Sequence, residues 1–339
     1  MLRTIAVNAA RLYFGMFPPR LHADVNINKI LFFAYPGVGD CIMATPTIRT
    51  MHKDGKVIDV MVYSDAAEQV FRHNPHVRNI YQGRSLNNLR DIRKEKYDMA
   101  VCLNLFSEPI YAYLAGIPIR RGQTNNGYAL THRFVWLPGE HSIDFIPRIA
   151  GIEIDDRKPE LFLKDEDVPL FGEIVVVPDS GTTEYARKKK WPEHYFAELC
   201  NKLNKPITLC GLDRNVSSTV KQELNVLYQD YTGNLNILEL ASLIKKSTLV
   251  ISNDSAAMHI AACFDVPCAA IFGPTDPKIL AYETTIVNEG VCPYGHEHCF
   301  HMNTELENCD RPCLTQVHWN EVYLRIKDYE QKNRTNKFV

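Results

Sequence analysis

The sequence predicts an α/β protein made of two doubly wound, Rossmann-like domains facing a cleft. Three observations predict it. At 339 residues the chain is long enough for two domains of about 150 residues each. Short β-rich runs alternate with amphipathic helical stretches in both halves, the pattern of parallel βαβ units. Between the halves, from Tyr113 to Leu163, lies an irregular stretch rich in Gly, Asn and Pro that ends in the extended run Pro159 to Leu163. Hydrophobic residues make up 45% and charged residues 23%, as in a folded globular chain.

Taken in order, residues 1–28 form an extension in which Leu2, Ile5, Ala6, Ala9, Leu12, Tyr13, Met16 and Phe17 recur at helical spacing, with Arg3 and Arg11 between them and no acid before Asp24. This is a basic amphipathic helix that either packs on the protein's own surface or docks on an anionic membrane face. The first domain, residues 29–165, opens with a strand from Ile30 to Ala34 and a helix from Asp40. A strand from Val57 to Tyr63, a helix near Ala66 to Arg72 and a strand from Met99 to Leu103 follow. The second domain, residues 166–316, places strands at Ile174–Val177, Ile207–Cys210, Val226–Tyr228, Leu249–Ser252 and Cys268–Phe272. Between the first two, a helix from Pro192 buries Tyr195, Phe196, Leu199 and Leu203, with Pro in the first turn where its missing N–H costs nothing. Residues 317–339 are a terminal helix, Val317 to Tyr329, and a polar tail.

Several classes are excluded. Lys and Arg number 38 against 40 Asp and Glu, a net charge of -2, so no global field holds nucleic acid, and any basic site is local. The longest apolar run, Ala261 to Phe272, is broken by Asp265 and Pro267 and is too short to span a bilayer. Asn8 and Arg11 interrupt the N-terminal apolar stretch and no small-residue cleavage site follows, unlike a secretory signal. The expected location is the cytoplasm, with contact at the inner membrane face through the basic helix. Cys41, Cys102, Cys200, Cys210, Cys263 and Cys268 fall inside expected strands or helices, where reduced cysteine serves as a small hydrophobe.

Ligands of doubly wound sheets bind at the carboxyl ends of the strands, and three such ends carry chemistry. The first reads Tyr35-Pro-Gly37-Val-Gly39-Asp40. A dinucleotide fingerprint would have a third glycine where Ile42 stands, and would not place a carboxylate where pyrophosphate meets the helix. Asp40 is therefore either a helix N-cap or a general base beside glycines that let substrate approach the backbone. The second end, Asp179-Ser-Gly-Thr182-Thr183 before Arg187-Lys-Lys189-Lys190, gathers hydroxyls and cations ahead of the helix from Pro192, which suits a phosphate group. The third is Ser252-Asn-Asp254-Ser255-Ala256-Ala-Met-His259, with Phe272-Gly-Pro-Thr275-Asp276 on the next strand. Asp254 or Ser255 caps the helix there while its free N–H groups face the cleft, and His259 is either a ligand-facing residue or a hydrogen-bonded core histidine. Two phosphate-compatible ends in one domain favour a diphosphate ligand.

These residues resemble glycosyltransferase family 9, the ADP-heptose-dependent lipopolysaccharide heptosyltransferases. The segments that carry the resemblance are Gly37-Val-Gly-Asp-Cys-Ile-Met-Ala-Thr-Pro46, Lys189-Lys-Trp-Pro192, Tyr231-Thr-Gly-Asn234, Asp254 to His259 and Phe272-Gly-Pro-Thr275. The resemblance implies a GT-B fold, an acceptor held by the first domain, a nucleotide-sugar donor held by the second, and inversion without a catalytic metal. It assigns Asp40 as catalytic base, Lys189 to the donor phosphate, and Asp254, Ser255, Ala256 and His259 to the diphosphate and sugar. Thr182 and Thr183 join Lys189 in stabilising the leaving diphosphate. Two positions depart from the family pattern: Ala256 stands where Gly is usual, and Asp213 stands where Glu often meets the nucleoside.

Cys292, Cys299, Cys309 and Cys313, with His296, His298 and His301 interleaved, provide enough soft ligands for a structural zinc or iron site, although the spacing is not that of a zinc ribbon. They are otherwise loose reduced thiols. Relatives that modify proteins carry a cysteine-bound iron here, so the acceptor is a glycan, a glycolipid or a protein hydroxyl. A non-catalytic nucleotide- or metal-binding protein on the same fold is the competing class.

Overall fold

A computed structural model describes residues 13–14, 16, 26–103, 107–123, 128–181, 186, 188–295, 298–299 and 309–335. The chain divides into two compact units, Met1–Phe162 and Leu163–Val339.

In the first unit, β1 (Lys29–Phe33), α1 (Val38–Lys53), β2 (Val57–Val62), α2 (Asp65–Phe71), β3 (Asn79–Gln82), α3 (Leu86–Glu95), β4 (Met99–Cys102), α4 (Ser107–Leu114), β5 (Ile119–Gln123), β6 (His132–Phe134) and α5 (Ser142–Ala150) follow one another. The strands form one parallel sheet in the order β3-β2-β1-β4-β5-β6. β1 lies between β2 and β4, with Phe33 opposite both Met61 and Cys102, and its Ile30, Leu31, Phe32 and Phe33 are buried. A strand covered on both faces reads as a continuous apolar run.

Every residue of α1 from Cys41 to Met51 is buried, although Pro46 removes one helical donor. The carbonyl of Ile42, which loses that donor, instead accepts from the Thr45 hydroxyl at 2.7 Å, a local repair of the break that proline makes. Further along, the buried Arg49 guanidinium pairs with Glu160 at 2.9 Å and Asp156 at 3.1 Å, tying the segment before the unit boundary to the helix that carries Asp40.

The second unit continues with β7 (Ile174–Val177), α6 (Glu193–Leu203), β8 (Ile207–Leu209), α7 (Arg214–Glu223), β9 (Tyr228–Asp230), α8 (Ile237–Lys246), β10 (Leu249–Asn253), α9 (Ala256–Cys263), β11 (Cys268–Phe272), α10 (Pro277–Leu280) and β12 (Thr285–Glu289). It ends with α11 (Pro312–Gln316) and α12 (Trp319–Thr335). Its strand order, β12-β11-β10-β7-β8-β9, reproduces that of the first unit, with β7 and β10 in the places of β1 and β4. One apolar core joins Trp191, Phe196 and Leu199 to Ile251, Ile271, Leu314, Val322 and Ile326, so the last helix packs back on its own sheet.

The structure moves some expected boundaries. The strand expected at Val226–Tyr228 is β9, Tyr228–Asp230, and β3, β6 and β12 carry too few apolar residues to announce themselves. Pro192 is the N-cap of α6 and not its first helical residue. The chain divides after Phe162, where the sequence suggests residue 165. Of the N-terminal extension, Phe14 is buried, meeting Tyr113 edge-on at 5.0 Å, while Tyr13 and Met16 are exposed. No described helix is long and apolar enough to cross a membrane.

Candidate active site

At the carboxyl end of β1 the chain turns through Tyr35-Pro36-Gly37 into α1. Gly37 is the N-cap, in extended conformation and with no side chain to cap the helix. Asp40 therefore lies inside the first turn, which corrects the N-cap reading: its carboxylate is an acid in the helix's positive end and not its cap. A Cβ on Gly37 would come within 2.6 Å of Asp40 Oδ2, so any larger residue there would displace that carboxylate from its position. Gly39 sits between them in the same turn.

A second carboxylate joins it, one that the sequence did not single out. Glu108 opens α4 after β4, the strand beside β1, and is 2% exposed. The gap between β1 and β4 is where the strand order of this sheet reverses, the position at which doubly wound sheets bind ligands. Burial pushes the Tyr35 hydroxyl well above the ordinary tyrosine range, and the negative charges of Asp40 and Glu108 push it further. Burial and then Glu108 do the same to Tyr63 on the neighbouring strand end, over whose ring the Arg84 guanidinium lies at 5.3 Å. The only signal in the sequence was an acid in the first turn after a fully apolar strand, which is too common to select.

In the second unit Lys189 reaches Asp254, Nζ to Oδ2, at 3.0 Å. Asp254 is 2% exposed. Burial alone would raise its carboxyl, but the charges of Lys189 and His259, the Lys189 hydrogen bond and the Thr275 hydroxyl hold it below the ordinary carboxylate range. His259, also buried, bonds Tyr282 through Nδ1 at 2.6 Å. The loop bearing Lys189 is fixed by Trp191, which is fully buried. Its backbone N–H donates to Asn253 Oδ1 at 2.9 Å, and its indole N–H donates to the Val317 carbonyl at 2.7 Å. Asn253 in turn donates to the Pro178 carbonyl at 2.8 Å, locking the ends of β7 and β10 together.

Ser255 occupies the N-cap of α9 in extended conformation, yet neither it nor Asp254 caps the helix. The Ser255 hydroxyl is buried and unpartnered, as are those of Ser180 after β7 and Thr275 after β11. Three adjacent strand ends thus carry buried hydroxyls without a partner, one of them at the open N-terminus of α9, where Ala256 is the first helical residue. Buried polar atoms are rarely left so, and a helix N-terminus favours an anion.

Not every expected donor residue joins this group. Asp213 caps α7 through Asn215 N–H at 3.1 Å and pairs with Lys190 at 2.9 Å, and the Lys190 bond is the main reason its carboxyl lies low. Asp179, buried, accepts from Leu212 and Asp213 backbone N–H at 2.5 and 2.8 Å; these are structural occupations. Thr182 and Thr183 lie outside the described residues.

None of the four clustered cysteines is in a disulfide with another described residue. Burial pushes the Cys313 thiol up to about 11, with Cys292, Cys299 and Cys309 each adding to the rise, so the four are neighbours. Among the described residues no three His, Cys, Asp or Glu side chains are close enough to share a metal ion.

Two parallel six-stranded sheets of identical strand order, each wrapped by alternating helices, place the chain in the GT-B class of folds. Residues 156–310 match the family model described as glycosyltransferase family 9 (heptosyltransferase). Over those residues the chain is similar to that family. It is 28% identical over 221 residues to lipooligosaccharide heptosyltransferase 2 of Haemophilus influenzae, a match that covers 55% of this chain and 63% of the relative, less than two thirds of its length. Among solved structures, a glycosyl transferase family 9 protein of Veillonella parvula superposes with a TM-score of 0.74 at 18% identity, covering 91% of this chain and 98% of that one. The ADP-heptose LPS heptosyltransferase II of E. coli superposes with a TM-score of 0.67 at 21% identity, covering 88% and 99%.

Proposed function

We propose that the chain is an inverting glycosyltransferase that moves heptose from ADP-heptose to a hydroxyl of a lipopolysaccharide-core or other surface-glycan acceptor. The observation that carries this reading is the Lys189–Asp254 pair, together with the buried unpartnered hydroxyls of Ser180, Ser255 and Thr275 at adjacent strand ends. In this reading Asp40 takes the proton from the acceptor hydroxyl as its oxygen attacks the anomeric carbon on the face opposite the leaving group. The new C–O bond forms while the bond from that carbon to the diphosphate oxygen breaks, and ADP departs with the electron pair. Lys189, the Ser255 hydroxyl and the first free N–H groups of α9 stabilise the charge that develops on the diphosphate, with Thr182 and Thr183 assigned to the same task. These groups take the place of a divalent cation, so catalysis needs no metal.

Heptosyltransferases acting on lipopolysaccharide meet a glycolipid acceptor at a membrane. The exposed Tyr13, Met16, Tyr113 and Leu114 support peripheral contact at the cytoplasmic face.

Calorimetric titration with ADP, UDP, GDP, ADP-heptose and NAD in the presence of chelator tests the donor. Tight ADP-heptose binding that survives chelation and weakens in Lys189→Ala is the expected result. A preference for UDP or GDP would replace the donor, and no nucleotide binding would sink the enzymatic reading. Transfer assays with lipid and protein acceptors separate a glycan from a protein hydroxyl as the target.

A further inference from the structure

Thr275 is 1% exposed, and its hydroxyl has no hydrogen-bond partner. Two other buried hydroxyls find nearby carbonyls: Thr208 donates to Phe171 at 2.6 Å and Ser247 to Ile244 at 2.8 Å. The Thr275 hydroxyl has no such outlet, and the loop that bears it is fixed on both sides. Before it, a Cβ on Gly273 would meet Leu314 at 2.7 Å, so the backbone is pressed against the core. After it, Asp276 caps α10 by accepting from Lys278 N–H at 2.8 Å. The hydroxyl lies beside Asp254 and helps hold that carboxyl down, leaving its lone pairs open to a further donor.

The chemistry of its neighbour selects the ligand. Asp254 is held as an anion, and a phosphate oxygen brought against it would be repelled. A sugar hydroxyl is attracted, because it donates to the carboxylate and uses its lone pairs for a second donor. Phosphate instead has Lys189, the Ser255 hydroxyl and the open end of α9.

We propose that Thr275 is a specificity-determining residue for the donor sugar, its hydroxyl binding a sugar hydroxyl that also donates to Asp254. The inference rests on the donor reading above and extends it to a residue on a third strand end. Sugar hydroxyls bridged between a fixed carboxylate and a fixed hydroxyl are selected by position, and an epimer that turns the hydroxyl away loses both of these contacts, the kind of arrangement that discriminates strongly.

Thr275→Val keeps the shape and removes the hydroxyl, whereas Thr275→Ser keeps it. Affinities for ADP and ADP-heptose are measured by calorimetry for the wild type and both variants, with thermal unfolding beside them. Thr275→Val is expected to weaken ADP-heptose about tenfold, as for loss of one well-placed hydrogen bond, and to leave ADP within about twofold. Its melting temperature should fall by no more than a few degrees, since only the contact with Asp254 is lost, and Thr275→Ser should bind like wild type. Equal weakening of ADP and ADP-heptose, or an unchanged ADP-heptose affinity, would overturn the proposal and leave the donor reading intact. A wild type that binds neither ligand would overturn the donor reading, and this one with it.

Discussion

The carboxyl ends of the two sheets share one topology and hold opposite chemistry. In the first unit, the gap between β1 and β4 carries Asp40 and the buried Glu108, two acids whose charges both raise Tyr35. In the second, the equivalent gap between β7 and β10 carries Lys189 and Asp254 as a pair, with buried unpartnered hydroxyls at adjacent strand ends. One end is suited to taking a proton and the other to holding an anion. The difference lies in the residues that follow each strand: Gly37 leaves space for a carboxylate to fold over the helix start, whereas Asn253 and Trp191 lock a lysine-bearing loop in place. Topology fixes where ligands meet each sheet, and the loops decide which.

Changes confined to one end should leave the other intact. The largest effect is expected from Asp40→Asn, which should lower transfer by roughly 10²–10⁴-fold, the range for loss of a general base, with ADP affinity unchanged by calorimetry. A fall in ADP affinity would mean that the two ends are not divided as described. Next, Lys189→Ala should cost about 3 kcal/mol of stability by leaving a buried carboxylate unpaired, and should weaken ADP. Adding Asp254→Asn should restore much of that stability in a denaturant titration, and failure to do so would show that the pair is not what holds this end together.

Smaller again is Gly37→Ala, whose new methyl displaces the Asp40 carboxylate and should reduce kcat by about tenfold, the scale of a misplaced reacting group, without altering ADP binding. Glu108→Gln should lower transfer by a similar or smaller factor. Its distinguishing result is a fall in kcat with ADP affinity unchanged by calorimetry.

The smallest effect concerns pH. His76 lies 3.5 Å from Glu160 and 5.0 Å, ring to ring, from His52, and burial chiefly holds its ring below the ordinary value of 6.5. The unfolded chain therefore binds the proton more readily, and stability should decline as pH drops below about 6.5. His76→Gln should flatten that part of the stability profile; an unchanged slope would assign it to other groups.

Much of this was legible in the sequence because apolar strands alternate with amphipathic helices. Asp40, Lys189, Asp254, Ser255, Ala256 and His259 stood out because short polar motifs interrupt that pattern at strand ends. Glu108 and Thr275 did not, since one acid or one threonine after a strand is commonplace until burial shows what it lacks. Asp213, also at a strand end, caps α7 and pairs with Lys190, a double engagement that its sequence neighbours do not announce.

Periodicity and turn chemistry are local, so the sequence by itself determined two doubly wound units and the strand ends to watch. Which carboxylates share a tyrosine, which lysine neutralises Asp254 and which hydroxyls stay unpaired depend on residues tens of positions apart. The folded sheets and the desolvation they impose decided those pairings.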